Sequence, residues 1–195
     1  MASQTVVKKA KNTPVTRQFL LDLANTIHSS KNRTFLRLCR GTLQNGPDPV
    51  DGKRTMHCGL GELYYAMTGR QPEQDHVTES KVITLAVERS PFGGKAQAAR
   101  AKAEAGIKKL GLPKDLEQEL LEKIEETDCD SGEHDDIQDP FVSEAEAKFR
   151  ETLDDIPGEN DSDGCQEGQC TAATYKERSK RVAAKLRQAA RCLPA

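Results

Sequence analysis

The stretch "SKVITLAVERS", residues 80–90, decides between two fold classes. Its β-branched residues favour a strand, and a strand here would make the chain a mixed α/β protein. Val82, Leu85 and Ala86 also fit one stripe of a helix, and that reading leaves the chain mainly α. Both remain open from this stretch alone, so its neighbours have to weigh in.

The neighbours are helical. Upstream, "MHCGLGELYYAMTG" (56–69) places Leu60, Leu63, Tyr64 and Met67 at helical spacing and ends on Gly69. Further back, "NTPVTRQFLLDLANTIHSS" (12–30) puts Phe19, Leu20, Leu23, Ala24 and Ile27 on one face, with Thr13 as cap and Pro14 at the first helical position. "TLQNGPDPVDGKRT" (42–55), with Asn-Gly, Gly-Pro and Asp-Gly, reads as a loop or irregular hairpin. Downstream, "KAQAARAKAEAGIKKLG" (95–111) is a helix with Ala99, Ala103, Ile107 and Leu110 on one face. Pro113 opens another, in which Leu116, Leu120, Leu121 and Ile124 are apolar. The expected fold is therefore mainly α, with at most one short strand or hairpin.

Four segments follow: a basic mobile arm (1–12), a helical domain (13–127), an acidic turn-rich segment (128–171) and a basic amphipathic helix (172–195). The acidic segment contains one short helix near 143–154, where Ser143 and Glu146 form a capping-box pattern and Phe149 and Leu153 can dock. "DDIPGENDSDGCQEGQC" (154–170) reads as a surface loop. The last helix sets Val182, Leu186, Ala189, Ala190 and Leu193 against a polar side rich in lysine and arginine, Arg178 among them.

Leu, Ile, Val and Phe make up 37 of 195 residues, so the core should be modest. No apolar run reaches the length of a membrane span, and the first residues lack the apolar stretch of a secretory signal. A cytoplasmic location is expected, the host cytoplasm if the chain is phage-encoded. The cysteines Cys39, Cys58, Cys129, Cys165, Cys170 and Cys192 are then expected mostly as thiols.

Net charge is only −2, but it is strongly segregated. Lys114–Gly168 holds 21 acidic and 4 basic residues; the remainder holds 10 acidic and 25 basic. Such an acidic block can imitate the spaced phosphates of nucleic acid and occupy a basic groove on a partner protein. The carboxylates expected to act there are Glu117, Glu122, Glu125, Glu126, Glu144 and Glu146. The blander possibility is that acidic and basic blocks pair within one molecule.

Two other chemistries compete. Cys58, at a helix start, could be a thiolate nucleophile with His76 as its base, because free N–H groups at a helix N-terminus lower a thiol's pKa. Alternatively Cys58 is a small buried residue, with Gly59 and Gly61 permitting close packing; burial is the expectation. Lys180, Arg181, Lys185 and Arg187 of the basic helix could instead contact phosphates of nucleic acid.

Metal and nucleotide sites are less well supported. Asp161, Asp163 and Gly164 match the third, fifth and sixth places of a calcium loop, but Cys170 stands where a bidentate glutamate is needed. Asp161 and Asp163 are thus alternative ion ligands in what reads as a solvated loop. Cys129, His134, Cys165 and Cys170 could form a zinc set only with unusual spacing. "RSPFGGKA" (89–96) lacks the first glycine and the Ser or Thr of a phosphate-binding loop. The sequence calls for no cofactor.

The run "CGLGELYYAMTG", preceded by "RLCRG" and a polar loop, resembles a pattern in small bacterial and phage proteins whose helix starts with Cys-x-Leu-Gly-x-Leu. The resemblance covers roughly residues 14–110 and implies source and fold, with no activity to carry over. The function expected is a non-enzymatic protein-binding module. Its specific form would be a phage anti-defence inhibitor acting on a basic protein or nucleoprotein complex.

Overall fold

The computed structural model describes residues 12–40, 42–48, 52, 55–126, 140–161 and 170–195. Among these, seven α-helices and two small antiparallel strand pairs form: α1 Arg17–Ile27, β1 His28–Ser29, β2 Thr34–Phe35, β3 Gln44–Pro47, β4 Thr55–His57, α2 Gly59–Thr68, α3 Glu79–Glu88, α4 Lys95–Lys109, α5 Lys114–Glu126, α6 Glu144–Asp161 and α7 Ala172–Cys192. The fold is mainly α.

The ambiguous stretch is helical. Thr78 caps α3 by accepting from the Lys81 N–H at 3.4 Å, and Val82, Ile83, Ala86 and Val87 are buried. Two adjacent pairs of buried residues four apart suit a helix lying on a core, and tertiary packing overrides β propensity.

Helix α1 starts later than Pro14 suggests. Thr16, not Thr13, caps it, accepting from Phe19 N–H at 3.1 Å. The residues before it run extended because Val15 is buried and its N–H donates to the Arg89 carbonyl at 2.9 Å.

Three helices form the centre. Leu20, Leu23, Ala24 and Ile27 of α1, Phe149, Leu153 and Ile156 of α6, and Val182, Ala183, Leu186, Ala189 and Ala190 of α7 are buried in one cluster. Helix α7 packs against both α1 and α6, and α2 and α3 close the side of α6. The basic C-terminal helix is thus a central element that shares its core with residues of the 13–127 segment.

The loop expected over 154–170 is helical as far as Asp161, with Pro157 inside α6. Ile156 is buried, and buried Asn160 donates from Nδ2 to the Cys39 carbonyl at 2.7 Å. These long-range anchors hold the helix through a proline that would otherwise end it.

The stretch 42–55 is an irregular hairpin. Gln44 pairs with His57 and Asn45 with Met56, with a register shift before Pro47 pairs with Thr55. A second, smaller pair joins His28 to Phe35 and Ser29 to Thr34. No helix among the described residues is long and apolar enough to cross a membrane.

Candidate interaction surface

The Cys58 corner is a packing site. Cys58 is 3% exposed and is the N-cap of α2, its Sγ accepting from Gly61 N–H at 3.4 Å. Burial pushes its thiol up to about 12, and the Gly61 N–H only partly offsets this. The thiol form is thereby favoured over the thiolate that a nucleophile needs. A Cβ on Gly59 would come within 2.6 Å of Ile156 Cγ2 and 2.7 Å of Val182 Cγ1, and one on Gly61 would overlap the Leu43 carbonyl. The glycines let the start of α2 close onto α6, α7 and the β3 strand.

His76 does not complete a catalytic pair. It is exposed, and it borders an open cleft of about 480 Å³ lined also by Leu43, Gln44, Glu73, Thr78 and Glu79. Cys58 is not among the lining residues. The imidazole nearest Cys58 in sequence, His57, is buried and occupied: Nδ1 lies 3.1 Å from Glu62 Oε1 and Nε2 lies 2.6 Å from Gln71 Oε1. This His57–Glu62–Gln71 set ties β4 to α2 and the turn after it.

The basic face of α7 is largely spent inside the molecule. Lys185 Nζ lies 2.7 Å from Asp155 Oδ2 and 3.9 Å from Glu159 Oε1. Arg181 Nε donates to the Glu159 carbonyl at 3.1 Å and lies 3.7 Å from its carboxylate. Arg187 Nη2 donates to Asn25 Oδ1 at 3.1 Å and to the His28 carbonyl at 2.9 Å. Lys180, beside Glu177 at 3.4 Å, stands exposed, as do Lys176 and Arg191 near the two ends of the helix. Arg178, which periodicity assigns to the polar side, is 1% exposed and donates from Nη1 to the Leu38 carbonyl at 2.6 Å. Of the four cations expected to meet phosphates, Arg181, Lys185 and Arg187 are thus already engaged within the chain.

The acidic residues divide the same way. Glu146 is 3% exposed at the start of α6, in the turn capped by Ser143, whose Oγ accepts from the Glu146 N–H at 3.2 Å. Arg150 lies 3.8 Å from it. It therefore drops out as a surface carboxylate: its turn is held against the body. Glu144 is exposed, and Glu117 is half-buried on the side of α5 that meets α4. Glu122 is exposed, its Oε1 accepting from Gln118 Nε2 at 2.8 Å. The side chains of Glu125 and Glu126 lie outside the described part of α5. Asp161 is half-buried beside Asn160, while Asp163, Cys129, His134 and Cys165 lie outside the described residues. Among the described residues no three metal-ligating side chains come together.

What remains outward is the α4–α5 hairpin. No residue of α4 is buried, nor is any described side chain of α5. The two helices pair with each other and have no comparable packing against another described element. Arg100 stacks over Phe141 at 5.6 Å and Lys95 over Phe92 at 6.0 Å, fastening the base of α4 to the body. The apolar face expected on α4 is only part covered: Ala103 and Ile107 are half-buried, Ala99 is exposed and Leu110 is 68% exposed. On α5, Leu116 is 43% exposed while Leu120, Leu121 and Ile124 are half-buried. Glu119, which charge counting alone did not single out, is exposed and holds Lys123 at 2.9 Å. No family model, curated protein or solved structure matches the chain.

Proposed function

We propose that the chain is a non-catalytic protein-binding module that presents the acidic helix α5 to a basic partner. One observation carries this: among the described residues of the acidic block, no side chain of α5 is buried, whereas Asp155 and Glu159 of α6 face cations of α7. Glu119 and Glu122 are the side chains we assign to the contact, with Glu144 at the start of α6 as a second exposed carboxylate. In its most specific form the module is an inhibitor of bacterial or phage origin that covers the basic groove of a nucleic-acid-handling protein. Charge opposition of this kind speeds encounter and weakens with salt.

The test uses the full chain. Native protein and Glu119→Lys/Glu122→Lys protein are each used to capture partners from host extract at low salt. The reading expects a basic protein held by the native chain and lost by the variant, with unchanged far-UV circular dichroism. A basic partner held equally by both overturns it.

A further inference from the structure

We propose that the α4–α5 hairpin pairs with the same hairpin of a second copy, forming an antiparallel four-helix bundle. This rests on the reading above and names the basic surface that α5 meets as α4 of another molecule.

Two helices side by side can cover only the seam between them. At 100° per residue, the half-buried positions Ala96, Arg100, Ala103, Glu104 and Ile107 share one side of α4, with Arg100 over Phe141 at its base. The side next to that seam carries Ala99, Ala103 and Leu110 of α4 and, because the helices run antiparallel, Leu116 and Leu120 of α5. Leu110 and Leu116 are the two most exposed large apolar residues described. Gly106 lies on the same side, and a Cβ there would meet nothing within 4 Å. A glycine in the middle of a helix weakens it, and no close approach by a described residue calls for this one. Small residues beside an open apolar side let a second helix approach closely.

Charge selects the occupant. Helix α4 carries five basic residues and one acidic; α5 carries six acidic and two basic. The hairpin is therefore +4 on one helix and −4 on the other. Along the outer edge of the open side run Lys95, Lys102 and Lys109, seven residues apart, all exposed. On α5 the exposed positions next past Leu116 are Lys123, which Glu119 holds at 2.9 Å, then Glu119 itself and Asp115. Charges flanking an apolar seam in this way set partner and orientation in helical bundles.

Symmetry then fixes the arrangement. Two hairpins can meet face to face about a two-fold axis either perpendicular or parallel to the helices. The perpendicular axis stacks α4 on α4 and α5 on α5, like on like. The parallel axis stacks α4 on the partner's α5, opposite charges in register and all neighbours antiparallel. The second arrangement is the one we assign.

The experiment is sedimentation velocity and light scattering on the full chain from low micromolar to several hundred micromolar. The native chain should reach the mass of two copies, and Leu110→Glu/Leu116→Glu should stay at the mass of one with unchanged thermal unfolding. Lys102→Glu/Lys109→Glu and Asp115→Lys/Glu119→Lys should each self-associate about tenfold more weakly. Mixed in equal amounts they should pair with each other. A native chain monomeric throughout overturns the inference. So does a dimer that survives the leucine changes, or reversed variants that do not pair when mixed. If a monomeric native chain still holds a basic partner through Glu119 and Glu122, only the second-copy inference falls and the binding reading stands.

Discussion

Cys58 sits where a helix N-terminus could activate a thiol, its Sγ accepting the Gly61 N–H, but it is buried and desolvation outweighs those N–H groups. Folded protein should therefore resist iodoacetamide at pH 8 at Cys58 and at Cys39, whose thiol burial also pushes up to about 12. Half-exposed Cys170 and Cys192 should label first, as read by peptide mass mapping. Gly59→Ala and Gly61→Ala should each cost about 1–3 kcal/mol in chemical denaturation. His28 supplies a pH signature. Its imidazole is held below the ordinary 6.5 by burial, then by Arg187 and Lys176, with Lys180 acting the same way and Glu177 opposing. Its buried Nδ1 has no hydrogen-bond partner among the described residues. Below pH 6.5 the unfolded chain binds the proton more readily, so stability should fall as pH drops through that value. His28→Gln should flatten that part of the profile. The tight corner at Gly59 and Gly61 was legible in the sequence, since paired glycines at a helix start signal close approach. The burial of Arg178 was not: its main acceptor, the Leu38 carbonyl, stands 140 positions away, and local charge periodicity points the other way.

Among elements, α3 and α6 show where local signals fail. In "SKVITLAVERS" a strand and a helix are locally comparable, and the core surface supplied by α2 and α6 selects the helix. In α6 the Pro-Gly pair announces a break that Ile156 and Asn160 override. That override has a cost, because Pro157 cannot donate to the Leu153 carbonyl. Replacing it with alanine should stabilise the protein by about 1–2 kcal/mol in thermal or denaturant melts. The helices at 95–109 and 114–126 were legible from their apolar spacing and from Gly111 and Pro113 at the turn between them. Their apolar positions are few and alternate with charge. What the sequence could not reveal is which side the body would leave open.

For the whole molecule, charge segregation along the chain is partly undone by folding. The acidic C-terminal half of α6 lies along α7, and the Asp155–Lys185 contact raises the Lys185 pKa above its ordinary 10.5. Stability from that contact is present below pH 10.5 and is lost as pH rises through the elevated value. Lys185→Glu should lower the melting temperature modestly at neutral pH, since such pairs contribute about 1 kcal/mol or less. Because Arg181, Lys185 and Arg187 are engaged internally, mobility-shift assays with double-stranded DNA should show no retardation at 0.15 M salt. Linear charge counting located the acidic block correctly, but it could not separate carboxylates paired at home from those on the hairpin.

The close packing of α7 on α1 also governs how the chain is made. Arg187 reaches back 159 positions to the His28 carbonyl, and α1 packs more extensively on α7 than on any other described element. During synthesis that packing must therefore wait until residues 172–192 have left the ribosome. Folding should be late and dominated by distant contacts. A nascent chain stalled before residue 172 should be cut readily by protease within α1, whereas the released protein should resist.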